Sequence, residues 1–254
     1  MSDEVLVERR DGVQIITINR PDAKNALNKG VADGVAAAVD ELDEDPELRV
    51  GILTGAGGTF SSGMDLKAFL TGETPSVEGR GLCGITERTP RKPLIGAVEG
   101  WALAGGFELL LACDLVVASE AARFGVPEVK RSLVAAGGAA FLLARRVPQA
   151  IALEMLLTGD PMSAPRAAEV GLVNRLAPEG KALEVALELA AAIAGNGPLA
   201  VAATKQIARS TFDWTLEEGW RRQGEIGLPV FVSQDAAEGA KAFAEKRPPV
   251  WQGK

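Results

Sequence analysis

Two glycine-rich segments, each set between an apolar run and a helix start, constrain this chain more than any other feature. The first is Thr54-Gly55-Ala56-Gly57-Gly58-Thr59-Phe60-Ser61-Ser62-Gly63-Met64-Asp65-Leu66, which follows the run at 50–53. The second is Glu99-Gly100-Trp101-Ala102-Leu103-Ala104-Gly105-Gly106-Phe107-Glu108, which follows the run at 94–98. Both runs read as buried strands. A strand, a glycine turn and then a helix start present backbone N–H groups to an anion or a developing oxyanion. Two such turns in one chain can aim two donors at a single oxygen.

The absence of histidine narrows the chemistry. It removes Ser-His-Asp and Cys-His hydrolases, His-ligated zinc and histidine general bases together. Tyrosine is absent too, so acid–base work falls to carboxylates, lysine, cysteine or the backbone. Cys83 and Cys113 are too few for a disulfide framework in 254 residues. A formal charge of −7 argues against nucleic acid or an anionic membrane as partner. The densest apolar stretch, 103–118, is broken by Glu108 and Asp114 and is no membrane span. The opening Met1-Ser2-Asp3-Glu4-Val5 is acidic, unlike a signal peptide, and a cytoplasmic protein is expected.

Strands are expected at 13–19, 50–53, 94–98 and 115–118, with helices at 28–44 and 105–113 between them. That alternation indicates an α/β fold. Residues 67–91 are weakly periodic and read as a mobile loop or short helix. From about Ala139 the pattern turns helical, with Ser163 capping 164–170 and further helices at 181–194, 198–210, 215–224 and 233–246. The last of these lack a convincing core of their own, as helices that pack on a neighbouring subunit do.

Glu108 stands in Phe107-Glu108-Leu109-Leu110-Leu111-Ala112-Cys113, a helix apolar nearly all round. A carboxylate there costs several kcal/mol unless it is paired, hydrogen-bonded or protonated, so it is a candidate for function. Glu128, in Phe124-Gly125-Val126-Pro127-Glu128, is by itself a first-turn glutamate suited to the helix dipole. It gains interest as a partner for Glu108, because the chain must turn back near Ala121. Neither glycine loop carries Gly-x-Gly-x-x-Gly with its acidic partner, nor a Walker motif, which disfavours a nucleotide phosphate cradle.

These residues fall into a set that resembles the crotonase (enoyl-CoA hydratase/isomerase) superfamily. The set is Asn19-Arg20-Pro21 with Asn25-Ala26-Leu27, Phe60 to Leu66, Gly105-Gly106-Phe107-Glu108 with Cys113-Asp114, and Phe124 to Glu128. Leu157-Thr158-Gly159, Gly171-Leu172-Val173 and Ala242-Phe243-Ala244-Glu245-Lys246-Arg247 complete it, in order, from near residue 13 to near residue 247.

The resemblance implies an α/β fold: a crotonase-like spiral of repeated ββα units at 1–195, carrying the CoA-thioester site, and a C-terminal α-helical trimerisation region at 196–254. It implies a homotrimer or homohexamer and an acyl-CoA thioester substrate, with no metal and no cofactor, coenzyme A being part of the substrate. The thioester oxygen would rest on the N–H groups of Met64 and Gly105. Glu108 would help activate water toward C3, and Glu128 would exchange the proton at C2. Lys24, Ala26, Met64, Asp65, Leu66, Lys67, Gly105 and Lys246 match positions that bind substrate or coenzyme A. An enoyl-CoA hydratase, a lyase of fatty acid metabolism, is the leading expectation. A double-bond isomerase on the same scaffold is the alternative, and a non-catalytic CoA-thioester or RNA-binding relative the third. Two departures bear on the substrate: 133–139 is one residue shorter than the usual Pro-Gly-x-Gly-Gly-Thr loop and lacks its proline, and Met64 is bulkier than the usual residue there.

Overall fold

A computed structural model describes residues 4–254. The reading of the acidic first residues, Met1 to Asp3, lies outside them. The chain opens with a hairpin, β1 (Val5–Arg10) and β2 (Val13–Ile18), joined by Asp11 and Gly12, both at positive φ. Helix α1 (Lys29–Glu44) follows, capped by the Asn28 side chain, which accepts from the Val31 N–H at 2.9 Å. Its buried stripe includes Val31, Val35, Val39 and Leu42, a 3.6-residue spacing that faces the sheet.

Next come β3 (Val50–Gly55), the short helix α2 (Leu66–Leu70) and a small hairpin of β4 (Ser76–Val77) and β5 (Gly81–Leu82). The expected loop at 67–91 thus holds both a short helix and a hairpin. After it, β6 (Leu94–Val98), β7 (Trp101–Leu103) and α3 (Gly105–Ala112) form one ββα turn. Then β8 (Leu115–Ser119) and β9 (Arg123–Gly125) repeat the two strands. They lead through a 3-10 turn at Pro127–Arg131 to α4 (Ala139–Arg146) and α5 (Gln149–Thr158). The short β10 (Met162–Ser163), α6 (Ala164–Glu169), β11 (Arg175–Ala177) and α7 (Ala182–Ala194) close the core.

The main sheet runs β1-β2-β3-β6-β8-β11, parallel throughout except for the first hairpin. A second sheet, β10-β9-β7, is continued by a parallel bridge between Ser61 and Ala102. The turns of β6–β7 and β8–β9 each lay one strand in each sheet. One hydrophobic cluster joins α1, α3 and both sheets, and a second sits under α7 through Ala182, Ala186 and Ala190.

The remaining helices are α8 (Pro198–Ser210), α9 (Leu216–Phe231) and α10 (Gln234–Glu245). Helix α9 runs past the expected end at 224, through Gly227 and Pro229. Pro229 loses one ladder bond and crowds the carbonyl four residues back, but it falls in the last turn of a helix whose start is fixed by the capping box of Thr215 and Glu218. Neither α8 nor α9 buries a residue, and Leu216, Trp220, Leu228 and Phe231 are exposed. No single helix among the described residues is long and apolar enough to cross a membrane.

Candidate active site

The chain zips residues 24–27 onto residues 62–65. Ser62 N–H donates to the Lys24 carbonyl at 3.0 Å, Leu27 N–H to Gly63 at 2.8 Å, and Asp65 N–H to Leu27 at 2.8 Å. This parallel bridge uses the groups flanking Met64, so the Met64 N–H faces the other way. Gly105 begins α3, where the first-turn N–H groups have no intrahelical acceptor. Neither the Met64 nor the Gly105 N–H donates to an acceptor among the described residues.

Glycines bring these two donors together. A Cβ on Gly105 would stand 3.7 Å from the Met64 nitrogen, and one on Gly63 would stand 3.2 Å from the Gly105 nitrogen. A Cβ on Gly106 would meet Ser61 Cβ and its carbonyl oxygen at 2.7 Å. Ala104, which delivers Gly105, has φ 49° and ψ −126°. A non-glycine residue in that region is strained, and such strain persists where the surroundings impose it. Here the Ala104 N–H is held by the Gly125 carbonyl at 2.9 Å.

Glu108 lies in the first turn of α3 and is 4% exposed. Its Oε1 accepts from the Ala139 N–H at 3.1 Å, and the Gly137 and Gly138 N–H groups also face the carboxylate. Burial raises its pKa above the usual carboxylate range, and those three backbone donors oppose the rise. Glu128, in the 3-10 turn after β9, is half-buried. Its Oε2 is buried and has no hydrogen-bond partner among the described residues. Burial pushes its pKa up as well, and the negative charge of Glu108 adds to the rise. The site therefore sets a held carboxylate near one with a free oxygen. Two carboxyl groups of unequal environment can divide acid and base roles around one water.

The other candidate residues separate into two places. Lys24, Ala26, Met64, Asp65, Leu66 and Lys67 gather along the zipped segments, with the side chains of Lys24, Leu66 and Lys67 exposed. The Asp65 carboxylate is already engaged: it caps α2 at the Lys67 and Ala68 N–H groups and pairs with Arg20 at 3.0 Å. Lys246 stands apart, exposed, in the left-handed turn that ends α10. Among the described residues, none of its hydrogen bonds or ion pairs reaches the glycine loops. A cavity of about 710 Å³ between the C-terminal end of α3, α4 and α8 is lined by neither glutamate.

Comparison with known proteins gives the family. The enoyl-CoA hydratase/isomerase family model matches residues 8–254. The chain belongs to this family. The crystal structure of enoyl-CoA hydratase EchA1 from Mycobacterium marinum is 59% identical, with a TM-score of 0.97 over 99% of both chains. Enoyl-CoA hydratase EchA19 of Mycobacterium tuberculosis is 46% identical, over 99% of this chain and 97% of that protein. Carnitinyl-CoA dehydratase of Salmonella typhi is 42% identical over 100% of both. The fold is the crotonase fold, and the chain is an enzyme of the hydratase type.

Three features of this enoyl-CoA hydratase/isomerase family site escaped the sequence reading. The shortened loop at 133–139 was legible only as a departure, yet its Gly137-Gly138-Ala139 cradles Glu108. The signal was there, since a Gly-Gly pair before an apolar helix is a third glycine turn at a helix start. The strain at Ala104 and the fixing of Asp65 by Arg20 left no mark on composition or periodicity.

Proposed function

We propose that this protein is an enoyl-CoA hydratase, adding water reversibly to a 2-enoyl-CoA thioester. The observation that carries the reading is the contrast between Glu108, held by backbone donors, and the free Oε2 of Glu128. The unused N–H groups of Met64 and Gly105 support it. In this reading the thioester oxygen rests on those two donors, which stabilise the enolate-like charge that develops as water adds. Removing one such donor typically costs about 3–4 kcal/mol of transition-state stabilisation. Glu108 helps draw the proton from the water that attacks C3, and Glu128 exchanges the proton at C2. An isomerase needs mainly one carboxylate, so a second with a free oxygen favours hydration.

Lys24, Lys67 and Lys246 supply cations for the phosphates of coenzyme A, with Ala26, Leu66 and the Asp65 backbone beside the rest of that group. Residues 196–254 form the oligomerisation region of a trimer or hexamer, a role supported by the exposed Trp220, Leu228 and Phe231. Residues 1–195 form the spiral core, and the cytoplasm is the proposed compartment. The carnitinyl-CoA dehydratase among the relatives supports a polar acyl group, beside fatty ones, as a candidate substrate class.

The test is a panel of 2-enoyl-CoA thioesters of graded chain length, with a polar member, and products resolved by mass. Water adducts formed by the wild type and lost in Glu108→Gln and Glu128→Gln are the expected result. Products of unchanged mass with a moved double bond would overturn it in favour of an isomerase.

A further inference from the structure

Helix α3 is held at both ends by α4. At its N-terminal end, Glu108 receives the N–H groups of Gly137, Gly138 and Ala139, which open α4. At its C-terminal end, one guanidinium nitrogen of Arg146, the last residue of α4, donates to the Leu111 carbonyl at 3.0 Å and also to that of Cys113. Those are carbonyls that a helix end leaves without intrahelical donors, and a cation there is favoured by the helix dipole. Arg146 has no carboxylate in hydrogen-bond reach among the described residues, whereas its neighbour Arg145 pairs with Asp213 at the surface. Between the two ends, α4 presents the buried Leu143, an apolar contact without the directionality of a hydrogen bond. Among the described residues, the hydrogen bonds between α3 and α4 lie at the two ends.

We propose that Arg146 is a positioning residue: by gripping the Leu111 and Cys113 carbonyls it fixes the height of α4 along α3, and so keeps the Gly137–Ala139 backbone donors on Glu108. This rests on the hydratase reading, in which Glu108 acts on the attacking water. Losing the grip lets α4 slip at its far end and withdraws donors that favour the ionised carboxylate. Burial then acts on Glu108 with less opposition. The acid limb of the kcat profile, which reports ionisation of Glu108 together with Glu128 facing it, moves to higher pH.

The experiment compares wild type, Arg146→Met, Arg146→Lys and Arg209→Met on but-2-enoyl-CoA across pH. It also follows the Glu108 carboxyl carbon by 13C NMR, with Glu108→Gln giving the assignment. Arg146→Met is expected to lower kcat roughly 10–100-fold with KM within about twofold, as small misplacements of catalytic groups do. The acid limb and the 13C titration are expected to rise together, by about one pH unit. Arg146→Lys keeps a cation and restores part of both. Arg209 donates to the Ala112 carbonyl on the same helix end, but from α8, and also pairs with Asp114, so Arg209→Met is the control that loosens this end of α3 while leaving every hydrogen bond of α4 in place. Its pH profile is expected to match the wild type.

An unmoved titration in a folded Arg146→Met protein overturns the proposal. So does an equal shift in Arg209→Met, which would trace the effect to α3 alone. A wild type that forms no water adduct sinks the hydratase reading, while the 13C titration still decides whether Arg146 positions the cradle on Glu108.

Discussion

Gly137 packs against the carboxylate of Glu108 so closely that a Cβ on it would stand 2.8 Å from the Glu108 carboxyl carbon. No side chain but hydrogen fits there while both groups keep their places. The atom in the way is the end of a side chain, so the carboxylate can retreat at small cost to the fold. Gly137→Ala is therefore expected to lower kcat by roughly 100-fold while destabilising the protein by only about 1 kcal/mol. Activity and urea denaturation measured together check it, and a variant with full kcat would show that the cradle is not needed.

The second glutamate gives a pH signature of stability. The folded-state pKa of Glu128 is raised, by burial first and by the charge of Glu108. Below the unfolded-state pKa both states are protonated and the group contributes nothing. As pH climbs from there through the folded-state pKa, the unfolded chain ionises first and the folded state loses relative stability. Glu128→Gln removes this penalty. It is expected to be more stable than wild type at neutral pH, with the difference closing as pH falls below about 4.3, the ordinary glutamate value. Denaturant midpoints from pH 4 to pH 8 test this, and a gap that widens toward acid would refute it.

Opposite outcomes are expected at two small residues beside the donors. Gly106→Ala drives a methyl into Ser61 Cβ and its carbonyl, a backbone contact that cannot swing away. A loss of about 1–3 kcal/mol follows. Ala104→Gly relieves a backbone at φ 49° and is expected to gain about 1 kcal/mol, the strain released outweighing the added chain freedom. Thermal unfolding of the two variants separates them, and a destabilised Ala104→Gly would contradict the reading of strain.

Asp114 ties α8 to the core. Its carboxylate pairs with Lys205 at 2.6 Å and Arg209 at 2.7 Å and also accepts the Leu94 N–H at 2.8 Å. Lys205 is 10% exposed, so an asparagine would leave a nearly buried cation without its anion. Asp114→Asn is expected to cost about 3 kcal/mol in chemical denaturation. A loss below about 1 kcal/mol would place the pair with ordinary surface ion pairs.

Much of this protein follows from local sequence. The runs at 50–53 and 94–98, the glycine turns after them and the caps Asn28 and Ser163 specify strands and helices through short-range sterics and hydrogen bonding. Lack of histidine restricts the chemistry without any structure. A carboxylate in an apolar helix marks Glu108, and the ordered motifs give the family. The edge strand β1 was not legible, because its Glu8, Arg9 and Arg10 face water and blur the alternation. Helix α9 reads as ending at Gly224, because Gly224, Gly227 and Pro229 are stop signals, whereas its ladder runs on to Phe231.

Tertiary structure alone decided how the site is held. Glu108 and Ala139 are 31 residues apart, and Leu111 and Arg146 are 35 apart. Whether a backbone N–H is spent or free depends on which distant strand lies beside it, and sequence fixes this only through the whole fold. The same holds for the two glutamates: their chemical type is written in the chain, but burial and the partners of each oxygen divide them into one held by three backbone donors and one with an oxygen left over.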